Sequence, residues 1–241
     1  MGTRYAGYKK EGAYAMSELV KVLFEDNHLL VLNKPQGLLT QPEGDRDSLE
    51  DRGKAYIKKK SNKPGAVFLH PAHRLDRVAS GIVVFAKTSK ALSRLNASIR
   101  KGDWEKTYLA RVSARSTSTP GKKGDVGHLE DYLKHAEFRA IKVDSEDPEA
   151  KKCTLDYVVL KEEKGSFLLE IDLHTGRYHQ IRAQLSFRGW PILGDTKYGA
   201  YRLESESEGI ALHHEHLKLI HPVGSKELEI TAPLPKVFLW M

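Results

Sequence analysis

Two stretches of this 241-residue chain gather side chains that could do chemistry. In HPAHRLDRVASGIVVFAKT (70–88), Asp76 stands between Arg74 and Arg77, just ahead of an apolar run. A carboxylate flanked by cations is a candidate nucleophile or base. The same residues also describe a surface ion pair, the commoner reason for an Asp beside Arg. In HTGRYHQIRAQLSFRGWPILGDTKYG (174–199), Arg177, His179, Gln180 and Arg182 fall close together around an expected helix start. Helix N-termini carry unpaired N–H groups and partial positive charge, so they attract phosphate or carboxylate. That cluster fits anion binding and does not by itself imply catalysis.

The elements that must hold these residues read as many short strands with a few helices. VKVLFEDNHLLVLNKP (20–35) forms two strands around an EDNH turn, and GIVVFAKT (81–88) is a β-branched, apolar strand. TSKALSRLNASIRKG (88–102) is a helix capped by Thr88 or Ser89, with Ala91, Leu92, Leu95 and Ile99 as its stripe and Gly102 at its end. EKTYLARV (105–112) alternates as a strand, and 116–125 is a loop by composition. EFRAIKV, TLDYVVLKE and SFLLEIDL add strands, and 177–189 is a helix. A Gly/Pro loop follows at 189–200, then an exposed acidic loop at 204–208, and IALHHEHLKLI and KELEITAP close the chain as strands. The pattern predicts an α+β fold, helices against a mainly antiparallel or mixed sheet. Residues 1–17 read as an N-terminal extension and 18–241 as a single catalytic domain. Neither GxGxxG nor GxxxxGK[ST] occurs, which argues against a nucleotide-cofactor fold.

Composition narrows the partners. Lys and Arg total 39 against 32 Asp and Glu, a formal charge of +7, which favours a polyanion. RGKAYIKKKSNK (52–63) holds basic residues and no acidic one, so Lys58, Lys59 and Lys60 are candidate phosphate contacts; such a run is otherwise a solvated face. No stretch approaches the roughly 20 apolar residues of a membrane helix, and the start lacks the apolar centre of a signal peptide. The lone Cys153 lies in a strand pattern, reads as a structural thiol and fits a reducing cytoplasm. His70 and His73, and the cluster His213, His214 and His216, lack metal-ligand spacing; hydrogen-bonded strand positions are expected, with no metal and no cofactor.

HRLDRVASG resembles the HRLDxxTSG motif of the RluA family of pseudouridine synthases, and LHTGRYHQIRAQLSFRGWPILGDTKYG resembles that family's TGRxHQIRxHLxxxGxPIxGDxxYG signature. EDNHLLVLNKPQGLL, KTYLARV and LHHEHLKLIHP resemble its other strands, so the likeness spans roughly 20–240 in the family's order. Ala79 stands at the usual Thr, Gln184 at a frequent His, and no S4 module precedes the motifs. The resemblance implies a central active-site cleft and a function, isomerising uridine in structured RNA, ribosomal or transfer, to pseudouridine. Asp76 is then the nucleophile, Tyr108 stacks on the uracil and helps remove the C5 proton, and Arg182 pairs with the aspartate. Arg74 is implied to fill the space the flipped base leaves. His73, Arg77, Arg177, His179 and Gln180 are expected RNA or loop contacts, and a cytoplasmic monomer is expected. A non-catalytic RNA-binding protein would predict a lost nucleophile. A carboxylate-dependent hydrolase would need a second carboxylate at about 5–9.5 Å, and the motifs offer only Asp195, read as loop-structural.

Overall fold

The computed structural model describes residues 20–62, 65–114, 118–163, 165–200, 209–236 and 240. The expected extension at 1–17 and acidic loop at 204–208 lie outside them. In chain order the elements are β1 (Lys21–Glu25), β2 (Leu29–Lys34), α1 (Leu49–Ser61), β3 (His70–Pro71), β4 (Ser80–Ala86), α2 (Ser89–Lys101) and β5 (Glu105–Ser113). There follow β6 (Val126–Ala136), β7 (Arg139–Val143), β8 (Lys151–Glu163), β9 (Ser166–Leu173), α3 (Gln180–Phe187), β10 (Leu212–Ile220) and β11 (Glu227–Thr231).

All strands join one mixed sheet in the order β1-β2-β4-β10-β5-β9-β8-β6-β7, with β3 beside β4 and β11 beside β10. Pairing is antiparallel except between β4 and β10, where Ser80 and Gly81 lie parallel to His213 and His214. Gly81 has φ +117°, and a Cβ there would sit 2.3 Å from the His214 carbonyl oxygen. Only glycine lets these two strands approach so closely.

The core explains why β2 and β4 read as continuous apolar runs rather than alternating ones. Leu30, Leu32, Val83 and Phe85 pack with Leu49 and Ile57 of α1, while Leu29, Val31, Ile82 and Val84 pack with Ala91 and Leu95 of α2. Both faces are covered, so positions 29–32 and 82–86 are apolar without alternation. Thr88 caps α2 as expected, its side chain accepting from Ala91 N–H, and Gly102 ends it in the left-handed conformation.

Three elements differ from the sequence reading. The basic run falls in α1 as far as Ser61, and the Ser48 side chain accepts from Asp51 N–H, a capping signal that the lysines obscured. β6 was not anticipated, because the charged Asp131 occupies an inward position between Leu129 and Leu133 and breaks the alternation. The helix expected over 177–189 covers only Gln180–Phe187. His179 takes φ 52°, and the Gln180 side chain accepts from Arg177 N–H (3.1 Å) and the Thr175 hydroxyl (2.8 Å). Residues 174–179 are therefore held as a loop.

Candidate active site

Asp76 lies in the loop between β3 and β4, and the backbone on either side of it is pinned. Leu75 exchanges hydrogen bonds with the Thr40 hydroxyl, whose oxygen lies 2.9 Å from Leu75 O and 3.2 Å from Leu75 N. The Arg77 carbonyl accepts from Gly37 N–H (2.9 Å) and Lys34 Nζ (3.1 Å), and the Val78 carbonyl accepts from Ile210 N–H (3.0 Å). Ala79, at the position of the resemblance's Thr, closes the turn through its own N–H to Asp76 O (3.1 Å).

Lys34 is fully buried, and its ammonium also donates to Leu38 O (2.7 Å) and Pro35 O (2.9 Å). Burial pulls its pKa down to about 7, against the opposing pull of the Asp76 charge. It ties the end of β2 to the loop that carries Asp76, and no motif weighed in the sequence pointed to it.

Arg182, on α3, meets Asp76 directly: Nη1 donates to Oδ2 at 2.9 Å. Its Nε and Nη2 donate to the two oxygens of Asp195 at 2.7 and 2.8 Å. Burial disfavours the guanidinium charge, but the hydrogen bonds and charges of Asp195 and Asp76 outweigh it and push its pKa up. A permanent cation is thus held by one carboxylate and presented to the other. The Asp76 side chain is 26% exposed, and its Oδ1 has no hydrogen-bond partner among the described residues.

His179 faces the same carboxylate, with Nε2 3.6 Å from Asp76 Oδ2, beyond hydrogen-bond reach. Its Nδ1 lies 3.0 Å from the Tyr198 hydroxyl, which accepts from Ala140 N–H at 2.7 Å. Burial holds the His179 pKa down at about 4, so the ring is neutral near pH 7.

Tyr108, on β5, is 6% exposed and stacks on His214, ring centroids 4.5 Å apart at 11°. Burial, and then the Asp76 charge, push its pKa up, so the phenol keeps its proton at neutral pH. Such a phenol is a stacking face and a donor; it can take a proton only after losing its own. His214 gives Nδ1–H to Ile82 O (2.8 Å), and its buried Nε2 has no partner. His73 touches His214 and Trp104 edge-on and accepts from Val84 N–H (3.2 Å). Burial lowers its pKa to about 3. These rings form a neutral column from the base of the Asp76 loop to Tyr108.

A cavity of about 1540 Å³ opens over this group, larger than the ~300–1,000 Å³ usual for small ligands. Its lining includes Asp76, Tyr108, Arg182, Arg74, His73, Arg77, Arg177 and His179. Arg74 and Arg177 are exposed there, and the Arg74 side chain has no hydrogen bond or ion pair among the described residues. Gln180 is buried behind the wall, its amide donating to Thr154 O (3.1 Å) and Gln184 Oε1 (3.0 Å). Gln184 in turn donates to Asp131 (3.0 Å), which also pairs with Lys142 and Arg188, both at 2.8 Å.

Lys58, Lys59 and Lys60 do not line the cavity; they occupy the last turn of α1, where Lys60 pairs with Glu25 at 2.7 Å. Cys153 is buried, and burial raises its thiol to about 11. The C-terminal histidines are hydrogen-bonded: His213 to Ser80 Oγ (2.8 Å) and Ala232 O (3.1 Å), and His216 to Glu229 (2.9 Å). No helix among the described residues is long and apolar enough to cross a membrane.

The family model for RNA pseudouridylate synthases matches residues 28–187, which include Asp76, Tyr108 and Arg182. An uncharacterised RNA pseudouridine synthase of Mycoplasma pneumoniae is 31% identical over 219 residues, 90% of this chain and 67% of the relative. Ribosomal large subunit pseudouridine synthase D of Zymomonas mobilis is 31% identical over 228 residues, 90% of this chain and 70% of the relative. This chain thus spans about two thirds of the length of these relatives. The solved human RNA pseudouridylate synthase domain containing 4 shares the fold, with a TM-score of 0.73 at 24% identity over 90% of this chain and 89% of that one. With its acidic, basic and aromatic residues gathered at one cavity, and with these likenesses along its length, the chain belongs to the RNA pseudouridylate synthase family.

Proposed function

We propose that this chain isomerises uridine to pseudouridine in structured RNA, ribosomal or transfer, with Asp76 as the nucleophile. The observation that carries this reading is the Arg182–Asp76 contact at the wall of a cavity too large for a lone nucleoside. Arg182 engages Oδ2 and leaves Oδ1 for the target nucleoside. Attack joins Asp76 to the nucleoside and lets the bond from C1′ to N1 break; the base turns, a bond from C1′ to C5 forms, the bond to Asp76 breaks and frees the carboxylate, the C5 hydrogen leaves as a proton, and N1 gains one. Redox state does not change, and no activated donor is consumed.

The uridine must leave its stack to reach Asp76, at a cost of a few kcal/mol. Arg74, exposed at the rim and unpaired among the described residues, has a planar guanidinium able to occupy the vacated space. Tyr108 supplies a fixed aromatic face for the uracil, its plane set by His214. Two relatives carry ribosomal large subunit names, synthase C of Vibrio cholerae and synthase D of Zymomonas mobilis, which favours ribosomal RNA as the first substrate to examine.

Pseudouridines mapped in ribosomal and transfer RNA from cells with and without this chain should differ at defined positions, and the purified chain should restore them. Identical maps would remove the reading. Tyr108→Phe should bind RNA as the parent does and turn over more slowly; equal turnover would deny the hydroxyl a part in the reaction.

A further inference from the structure

Among the described residues two α-helices, α1 and α2, end in basic turns, and of these the turn of α2 meets the cavity. Arg100 and Lys101 close α2 and line the cavity together with Lys106 of β5. Arg100 and Lys101 are exposed and Lys106 is half-buried. None of the three side chains has a hydrogen bond or ion pair among the described residues.

Cations in a last helical turn complement the helix dipole, which is reason enough for Arg100 and Lys101 to be basic. That reason does not extend to Lys106, which lies within a strand. Burial lowers its pKa, and no acidic neighbour offsets that cost. A partly desolvated ammonium without a counter-ion is unfavourable until an anion arrives.

Position supplies the rest. Lys106 and Tyr108 are two residues apart on β5, so their side chains leave the same face, about 6.6 Å apart along the strand. The Lys106 ammonium also lies beside the loop at Gly176, 3.9 Å from where a Cβ would stand. A nucleotide seated over Tyr108 brings its phosphate into the reach of that ammonium.

We propose that Arg100, Lys101 and Lys106 form the phosphate track for the RNA strand flanking the flipped uridine, with Lys106 holding the phosphate nearest the base over Tyr108. The proposal rests on the cavity being the uridine site.

The test is binding of a fluorescein-labelled 20-nucleotide oligouridylate, followed by anisotropy from 50 to 300 mM KCl. For single strands each neutralised phosphate contributes about 0.7 to the slope of log K against log salt. Changing Arg100, Lys101 and Lys106 together to Gln should lower that slope by about 2. Lys106→Arg should keep the parent slope, and changing Lys58, Lys59 and Lys60 to Gln should leave it unaltered. A triple variant with the parent's thermal midpoint and the parent's slope would overturn the track. So would a loss that falls on the Lys58–Lys60 variant instead, or no salt-dependent binding by the unmodified chain. Pseudouridine formed by the unmodified chain, with the slope unchanged in the variant, would remove the track alone. A reduced slope with no pseudouridine formed would remove the isomerase reading and leave an RNA-binding cavity.

Discussion

Arg182 separates two carboxylates with unequal freedom. Asp195 is 1% exposed and spends both oxygens on the guanidinium, at 2.7 and 2.8 Å. Asp76 is 26% exposed, takes one bond at 2.9 Å, and keeps Oδ1 open to the cavity. Both carry the same charge beside the same cation. What distinguishes them is how much of each the fold has already used. A carboxylate bound twice in a dry place is committed to orienting its partner; one bound once at a cavity wall can react. The surroundings differ in kind too. Neutral imidazoles, His73 and His214, stand in line behind Tyr108 on the Asp76 side, whereas Asp195 meets the guanidinium alone.

Removing the shared cation should do the most damage. Arg182→Met leaves Asp195 buried without its counter-ion, which costs on the order of 3–5 kcal/mol, and it should leave no measurable isomerisation. Denaturant unfolding and a pseudouridine assay on the same sample check both halves. A variant as stable as the parent would show that Asp195 does not depend on Arg182.

Asp195→Asn is gentler. The amide can still accept a hydrogen bond but loses the charge that aims the guanidinium, so turnover should fall about 10–100-fold with KM nearly constant. Parent turnover would erase the distinction between the two acids.

Acid should weaken the neutral side first. An unfolded histidine takes up a proton below about pH 6.5, whereas burial keeps His73 neutral to about 3 and His179 and His213 to about 4. The unfolded chain therefore binds more protons in the window from about 6.5 down to about 4, and stability falls as pH drops through it. Each such imidazole contributes on the order of 1 kcal/mol per pH unit there. Asp131 acts in the same direction at lower pH: burial disfavours its charge, but Lys142, Gln184 and Arg188 hold its pKa below 3.8, so the stability it contributes persists through this window and is lost only in stronger acid. A thermal midpoint that does not fall between pH 7 and pH 5 would contradict the neutral assignment.

The smallest effect belongs to Lys58, Lys59 and Lys60. Changed together to Gln they should leave turnover at the parent level and barely move the folding midpoint, since an ion pair with an exposed lysine such as Lys60–Glu25 contributes little. A large loss of turnover would put α1 in contact with RNA.

The reacting half of the site was the legible half. Asp76, Tyr108 and Arg182 were legible through the family resemblance of HRLDRVASG, KTYLARV and HQIR; by themselves the residues fitted a surface ion pair, a core tyrosine and an anion-binding cluster. The supporting half was obscure because its partners meet only through folding. Asp195 reads as loop punctuation in GDTKYG until the loop turns back to place it against α3. His214 looks like one of several histidines until β10 crosses Gly81 and lays its ring on Tyr108. Lys34 carries no local signal for burial, since its three carbonyl partners come from loops around Pro35, Leu38 and Arg77. The strands were foreseen except the two-residue β3 and the longer β6, where an inward Asp131 hid the period.

The most direct measurement sets Asp76→Asn beside Asp195→Asn. Each is assayed for pseudouridine in RNA from cells lacking this chain, with folding midpoint and RNA affinity determined in parallel. The division of labour at Arg182 predicts no pseudouridine from Asp76→Asn at parent stability and affinity, and slow product with a lowered midpoint from Asp195→Asn. Product from Asp76→Asn at the parent rate would contradict it.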